Sequence, residues 1–274
     1  MRPIEETAVL VTGATDGLGR GIARDLHARG AHVLLHGRDP EKLAALSEEL
    51  GGAPGFRTDL ASLDEVRALA AEVERDNEAL HVLINNAGIG SGRPDGTSRQ
   101  ESRDGYELRL AVNHLAGFLL TLRLLPLLRR SAPARIVHVA SLGQAPMDFD
   151  DPMLQRGYSG TRAYGQSKLA QITAGFELAD LLDPAEVTVT SLHPATYMPT
   201  KMVLEERGRA VDTLETGVDA TVRLAIDPEL EGVTGRFYDR RRETPPDPQA
   251  SDPEARRRLW ELSLELTGEP EPAL

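Results

Sequence analysis

The sequence contains no cysteine, which excludes disulfide bonds, thiolate metal sites and cysteine nucleophiles. This absence leaves the redox compartment open. Long hydrophobic runs are also missing, since no stretch approaches the roughly 18 uninterrupted apolar residues of a membrane-spanning helix. The most apolar segment, residues 119–128, contains Arg123 and Pro126, and the first apolar run leads directly into glycines without a cleavage site. We therefore expect a cytoplasmic soluble protein with no signal peptide and no membrane span.

Acidic residues outnumber basic ones, and the formal net charge is −12. Nucleic acid is therefore not expected as a partner, because phosphate binding needs a basic face. Lysine is especially scarce, since Lys42, Lys168 and Lys201 are the only three in the chain. Arginine is the common cation here, whereas lysine is the cation whose pKa responds readily to burial. This bias favours a role for Lys168 beyond surface charge.

Short apolar runs alternate with amphipathic stretches, which predicts an α/β fold with a doubly wound parallel sheet of the Rossmann type. The predicted strands cover residues 8–11, 32–36, 81–84, 135–139, 187–192 and 235–238. The predicted helices cover residues 18–28, 40–50, 63–76, 105–130, 162–182, 213–225 and, at the C-terminus, about 254–267. No linker-like stretch divides the chain, so we expect one domain over residues 1–274.

A glycine-rich segment, residues 12–19, lies where the first strand ends and the first helix begins. Glycines at such a junction permit a tight turn and let backbone N–H groups and the helix N-terminus approach a pyrophosphate. A simple tight turn is the alternative, but the strand-to-helix context favours dinucleotide binding. The predicted cofactor contacts in this segment are Gly13, Thr15, Asp16, Gly17, Leu18 and Gly19.

The end of the second strand bears on the choice of cofactor. Gly37 offers no carboxylate to a ribose 2′-hydroxyl, whereas Arg38 offers a guanidinium that can bind a 2′-phosphate. The sequence therefore predicts NADP(H). NAD(H) is the alternative, because Arg38 could be an ordinary surface arginine and Asp16 adds a negative charge nearby.

Polar residues also follow a third strand, expected just before Asp59, and the strand at residues 81–84, which is then the fourth; parallel strands present their ligand side at these ends. Asp59 could accept a hydrogen bond from an adenine amino group, while the Asn-Asn-Ala-Gly segment at 85–88 could be a turn and nothing more. The predicted cofactor contacts here are Asp59, Leu60, Asn86, Ala87 and Gly88.

Tyr164 and Lys168 are four residues apart in a predicted helix and therefore share one face. A nearby ammonium lowers the pKa of a phenol from about 10, so such a tyrosine can act as an acid or base near neutral pH. Taken alone, the pair fits a solvated helix face equally well.

Asn113 lies in an apolar helix, where it is either a satisfied core group or part of a site. Ser141 follows the fifth strand, at a position where serine often caps a turn.

Taken in order, these motifs resemble those of the classical short-chain dehydrogenase/reductase family, from about residue 9 to 268. Residues 12–19 match the family's Thr-Gly-x-x-x-Gly-x-Gly loop and residues 85–88 its Asn-Asn-Ala-Gly segment. The family's catalytic tetrad is matched by Asn113, Ser141, Tyr164 and Lys168. Segments 104–107, 112–118, 131–137 and 163–170 are similar to the retinol-dehydrogenase-like branch, which often acts on lipophilic carbonyls and alcohols with NADP(H).

The resemblance implies a mechanism in which Ser141 and Tyr164 hold a carbonyl and Tyr164 donates the proton. Lys168 would hydrogen-bond the nicotinamide ribose and lower the pKa of Tyr164, and Asn113 would hold a relay water. Pro194 and Thr196 are carried over as cofactor contacts, although residues 193–195 read His-Pro-Ala where Pro-Gly is usual, and Thr200 falls one position late. Homodimers or homotetramers are expected through helices 105–130 and 162–182, while monomers occur in related branches.

The substrate should be a small molecule recognised by segments of about 142–160 and 196–212. Met147, Phe149, Met153, Leu154 and Tyr158 in the first segment fit an apolar pocket lining, or a loop packed on its own core. We expect a lipophilic carbonyl or alcohol. A polycyclic or polyketide-like ketone is one alternative, and a catalytically silent dinucleotide sensor is another, which the intact tetrad disfavours. No histidine or carboxylate spacing predicts a metal site.

Overall fold

The computed structural model describes residues 2–92, 98–200, 203–204 and 208–272. Its centre is an eight-stranded sheet in which the strands follow the order β3-β2-β1-β4-β5-β6-β7-β8. The strands are β1 Ala8–Val11, β2 His32–Gly37, β3 Gly55–Arg57, β4 Val82–Asn85, β5 Ala134–Val139, β6 Val187–His193, β7 Arg236–Asp239 and β8 Arg242–Glu243. Neighbouring strands from β3 to β7 are parallel, and only the short β8 runs antiparallel. The order reverses between β1 and β4, where doubly wound sheets bind ligands.

Helices cover both faces of this sheet. They are α1 Gly17–Ala28, α2 Pro40–Glu49, α3 Leu63–Asp76, α4 Ala116–Arg130, α5 Gly160–Leu181, α6 Leu214–Ile226 and α7 Pro253–Thr267. Alternate strand residues enter opposite cores, as a period of two requires. Leu10 packs in the core beneath α3 and α4, whereas Val9 and Val11 pack in the core beneath α1, α2 and α6. The α/β, doubly wound, single-domain architecture predicted from the sequence is confirmed.

The predicted helix over residues 105–130 is shorter than expected and irregular at its start. Gly105 has a φ of 82°, outside the right-handed helical region. Helical structure begins at Leu108, and the N–H of Leu110 donates to Oε2 of Glu107 at 2.8 Å. Residues Leu110–Leu115 form a π-helical turn before α4 begins, and Asn113 lies inside that turn. Such turns occur frequently at functional sites.

The C-terminal helix α7 packs on part of the surface on which we expected a partner subunit. Every residue of α5 from Gly165 to Gly175 is buried within this single chain. Trp260 of α7 is 1% exposed and packs edge-on against Phe118 of α4 at 5.0 Å. The chain's own α7 therefore covers part of the face through which residues 105–130 and 162–182 were expected to form a homodimer.

One helical segment of the described chain, Leu110–Arg130, is long and apolar enough to cross a membrane. Most of it, 72% of its most apolar stretch, is buried inside the protein, as in the core helix of a globular fold.

Candidate active site

The glycine-rich segment forms a tight cradle between β1 and α1. Gly13 and Gly17 have φ values of 65° and 48°, in the left-handed region that favours glycine. A Cβ atom on Gly19 would lie 2.1 Å from the carbonyl oxygen of Gly13, so only glycine fits there. Asp16 caps α1 by accepting from the Gly17 N–H at 2.8 Å. The glycine cradle therefore adjoins the N-terminus of α1, the end at which helices bind anions. Leu18 can contribute only backbone, because its side chain is buried in the core.

The Asn-Asn-Ala-Gly segment is bonded directly to the cradle. The Thr12 hydroxyl accepts the N–H groups of Asn86 at 2.9 Å and Ala87 at 3.0 Å. The side-chain amide of Asn86 donates to the carbonyl of Thr12 at 2.8 Å. The segment after β4 is thus fixed against the glycine cradle and is more than an isolated turn.

The end of β2 borders the same cradle. A Cβ atom on Gly37 would lie 2.4 Å from the Thr15 methyl group, so glycine is needed where these two loops meet. Arg38 is exposed and has no hydrogen-bond or ion-pair partner in the described part of the chain. Lys42 donates to Asp16 at 2.8 Å, and this bond raises the pKa of the lysine. Sequence reasoning missed this partner of Asp16, which lies on the first turn of α2.

Asp59 and Leu60, after β3, are held by local contacts. Asp59 is partly buried, its Oδ1 accepts from the Ala61 N–H at 3.1 Å, and its own N–H donates to Glu65 at 2.8 Å. Leu60 packs its side chain into the core, which leaves its backbone as the available contact. Both residues lie on the ligand side of the sheet, as predicted.

Asn113 is buried and fully hydrogen-bonded. Its Oδ1 accepts from the N–H of Ile89 at 2.8 Å, and its Nδ2 donates to the Ile89 carbonyl at 3.1 Å. The same Nδ2 donates to the Ser167 hydroxyl at 2.9 Å. Asn113 is therefore a satisfied core group within the site, where it ties the loop after β4 to helix α5.

Lys168 lies behind this loop with 5% of its surface exposed. Its ammonium donates to the carbonyl of Val139 at 2.9 Å and to Oε1 of Gln171 at 3.0 Å. Burial lowers the pKa of Lys168 to about 8. A Cβ atom on Gly88 would lie 3.3 Å from the lysine Nζ, so this glycine permits the loop to approach the cation closely. Gln171 was missed from the sequence, although its i+3 spacing from Lys168 places both on one helix face.

Ser141 and Tyr164 meet across Gly143. The Ser141 hydroxyl accepts from the Gly143 N–H at 2.9 Å. A Cβ atom on Gly143 would lie 3.3 Å from Ser141 Oγ and 3.5 Å from Cε1 of the Tyr164 ring. Ser141 is buried and Tyr164 is partly exposed. The four tetrad positions are therefore gathered at the carboxyl ends of β4 and β5, beside the glycine cradle.

The loop after β6 differs from our expectation. The buried Pro194 follows this strand directly, but Thr196 donates its N–H to Asp212 at 2.7 Å and places its hydroxyl 3.2 Å from Nε2 of His193. The Thr200 methyl group lies 3.0 Å from the position that a Cβ atom on Gly17 would take. The structure therefore places Thr200 beside the glycine cradle, while Thr196 contacts Asp212 and His193.

The first of the two proposed substrate segments, residues 142–160, fully or partly buries most of its large hydrophobic side chains. Met147 and Leu154 are buried, 5% and 1% exposed, so the first segment packs these side chains on its own core instead of lining a pocket with them. Phe149 and Met153 are partly buried against the same core. The large hydrophobic residues that are exposed in the described chain all belong to these two segments: Leu142, Tyr197, Leu204 and Val211.

Comparison with known proteins agrees with this geometry. A family model described as short chain dehydrogenase matches residues 7–209. The chain is 36% identical to human retinol dehydrogenase 13, covering 95% of this chain and 84% of that protein. It is 38% identical to mouse polyprenol dehydrogenase, covering 94% and 83%.

Solved structures show the same fold over nearly the whole chain. A crystal structure of an uncharacterised protein from Mycobacterium paratuberculosis superimposes with a TM-score of 0.78 at 29% identity, covering 98% of this chain and 96% of that one. The complex of Pseudomonas aeruginosa RhlG with NADP superimposes with a TM-score of 0.69 at 27% identity, covering 87% and 97%.

The fold, the glycine cradle and the gathered tetrad define an oxidoreductase class whose structural neighbours bind NAD(P)(H). The chain belongs to the short-chain dehydrogenase/reductase family, and within that family to its retinol-dehydrogenase-like branch.

Proposed function

We propose that the protein is an NADP(H)-dependent oxidoreductase that transfers hydride between the cofactor and the carbonyl or alcohol group of a lipophilic small molecule. The observation that carries this proposal is the buried Lys168, which stands one helical turn from Tyr164 and directly behind Gly88. Burying an ammonium is costly unless it is hydrogen-bonded and used. A sensor that only binds dinucleotide has no need for that charge, which disfavours the silent-regulator alternative.

The described residues fit a dinucleotide. Gly13, Gly17 and Gly19 form a cradle that side chains would fill, and the N-terminus of α1 supplies N–H groups and a partial positive charge for a pyrophosphate. Arg38, exposed and without a partner in the described chain, suits a 2′-phosphate. Lys42 partly neutralises Asp16, which removes the main objection to NADP(H). When bound, the nicotinamide supplies or accepts the hydride.

The chain's own residues handle the carbonyl oxygen and its proton. Because the Ser141 oxygen accepts from the Gly143 N–H, its hydroxyl hydrogen remains to bind the substrate oxygen. Tyr164, on the other side of Gly143, donates the proton as charge develops on that oxygen. The Lys168 cation stabilises the phenolate left behind. In alcohol oxidation the same groups act in reverse.

The exposed hydrophobic residues support a lipophilic substrate. Leu142, Tyr197, Leu204 and Val211 leave apolar surface in contact with water, and they are confined to the segments expected to frame the pocket mouth. Clustered exposed apolar surface commonly marks a ligand site. Two relatives are named for lipophilic alcohols, retinol and polyprenol, which favours such substrates over a polyketide-like ketone.

We also propose that the protein acts as a monomer, because α7 covers the helices that would otherwise form the dimer face. Light scattering should give a mass near 29.7 kDa. A mass of twice that value would contradict the proposal.

The experiment that tests the proposed function measures NADPH and NADH oxidation against aliphatic, aromatic, isoprenoid and polycyclic carbonyls. We expect turnover with NADPH and apolar aldehydes or ketones. In Tyr164→Phe, turnover should fall about a thousandfold while NADPH binding, followed by its fluorescence, changes little, since general acid catalysis contributes roughly 10²–10⁴. Unchanged turnover in this variant would contradict the assigned role of Tyr164.

A further inference from the structure

Three polar side chains form a buried cluster that the proposed reaction does not use. Glu107 and Arg109 are 1% and 3% exposed, and the partly buried Tyr158 completes the group. Arg109 donates to the Tyr158 hydroxyl at 2.7 Å, and that hydroxyl donates to Oε1 of Glu107 at 3.1 Å. Arg109 and Glu107 themselves are 3.4 Å apart. The Glu107 carboxylate and the Arg109 guanidinium therefore each lie close to the opposite charge and to the Tyr158 hydroxyl.

The cluster is a costly way to fill this volume. Replacing a buried ion pair by apolar side chains is often neutral or stabilising, because two charges must be desolvated. Burial and the charge of Glu107 raise the pKa of Tyr158 to about 12, so its phenol stays protonated and remains a donor to Glu107. A cluster that is held at a cost in stability suits a geometric role better than a stabilising one.

Each member of the cluster is tied to a different part of the active site. Oε2 of Glu107 accepts the N–H of Leu110, the first residue of the π-helical turn that carries Asn113. Nε of Arg109 donates to the carbonyl of Gly90 at 3.0 Å. Gly90 lies in the same loop as Ile89, whose backbone is hydrogen-bonded to Asn113.

Tyr158 immediately precedes Ser159, whose hydroxyl caps helix α5. The Tyr158 hydroxyl therefore links the start of α5 to the pair Glu107 and Arg109. Helix α5 carries Tyr164 and Lys168. Asn113 connects the same turn and helix a second time, through Ser167. The two ties lie on either side of Tyr164 in the sequence.

We propose that Tyr158, together with Glu107 and Arg109, is a positioning residue that sets the distance between the Asn113 turn and the N-terminal end of α5. This inference rests on the proposed function, because placement matters only if Tyr164 and Lys168 react. Tyr158 makes no contribution as an acid or base, since its hydroxyl is already held by Arg109 and Glu107.

The test compares Tyr158→Phe with Tyr106→Phe. Tyr106 is the control because it is also partly buried and its hydroxyl is also hydrogen-bonded, by a single bond to the carbonyl of Leu266 at 2.8 Å, but it lies outside the cluster. Both variants should lose roughly 2–4 °C of melting temperature. Tyr158→Phe should lower kcat about tenfold at unchanged KM for NADPH, because a misplacement near 1 Å costs up to about a hundredfold. Tyr106→Phe should keep kcat within about twofold.

Equal kcat values in the two variants would overturn the proposal, because the cluster would then affect only the stability of the fold. If the wild-type protein turns over no carbonyl, the proposed function fails, and hydrogen exchange then decides the positioning role separately. Tyr158→Phe should exchange faster than Tyr106→Phe in peptides covering residues 89–92 and 110–116. Equal exchange in those peptides would overturn it.

Discussion

Lys42 and Lys168 lie at opposite ends of the proposed cofactor site and are held in opposite ways. Lys168 is buried behind Gly88, its ammonium is fixed by Val139 and Gln171, and burial lowers its pKa to about 8. Lys42 is 49% exposed, and its hydrogen bond to Asp16 raises its pKa. The catalytic end therefore holds a desolvated charge in one position, whereas the adenosine end presents solvated charges at the surface.

This difference predicts how each end responds to change. A buried charge is little screened by salt, and its removal affects every step that depends on the local field. Exposed charges such as Arg38 and Lys42 are screened by salt, so their effect on cofactor binding falls as ionic strength rises. Variants at the catalytic end should therefore lower kcat with either cofactor, while variants at the adenosine end should change the choice between cofactors.

The largest effect is expected from Lys168→Met, which keeps most of the length of the side chain and removes its charge. Without the cation, the phenolate of Tyr164 loses its stabilisation, so kcat should fall at least about a hundredfold with both NADPH and NADH. Steady-state kinetics measure this loss, and far-UV circular dichroism confirms the fold. Lys42→Met should keep kcat at saturating NADPH within about twofold. Similar kcat losses in the two variants would show that Lys42 and Lys168 do not differ in their effect on catalysis.

Much of this architecture could be predicted from the sequence, because its signals are local. The hydrophobic periodicity predicted most helix and strand boundaries to within a residue or two. The prediction for α3, Leu63–Asp76, matches the structure fully. The four tetrad positions could be proposed from the sequence because each follows a strand or lies in a predicted helix. Pattern alone was ambiguous for Asn113, and only the contacts with Ile89 and Ser167 show that it is both satisfied and part of the site.

The remainder depends on contacts between distant residues. Residues 105–107 were assigned to a helix, but the Glu107 side chain caps the helix start by accepting from the Leu110 N–H, and Gly105 takes a left-handed conformation. The loop after β6 was aligned by family spacing, whereas its fold brings Thr200 to Gly17. The burial of α5 beneath α7 joins segments about 90 residues apart, which no local pattern records.

The second effect concerns the adenosine end. In Arg38→Ala, the KM for NADPH should rise roughly 10- to 100-fold while the KM for NADH stays within about twofold, because a charge-assisted bond to a phosphate contributes about 1.5–3 kcal/mol. The difference between cofactors should shrink as salt is raised. Arg75→Ala, at another exposed arginine, serves as the control. An equal rise for both cofactors would show that Arg38 does not bind a 2′-phosphate.

Near neutral pH the smallest effect is the pH dependence of the wild-type protein, and it separates the two lysines without a mutation. The pKa of Lys168 is about 8 in the folded protein, below the value near 10.4 of an exposed lysine, so its charge is lost as pH rises through 8. Because kcat/KM for NADPH reports ionisations of the free enzyme, it should be level below pH 7.5 and fall about tenfold per unit above pH 8. Lys42, whose pKa is raised, stays charged over this range and adds no such limb. Lys168→Met should lack the limb, and a wild-type profile that stays level to pH 10 would contradict a free-enzyme role for the Lys168 charge.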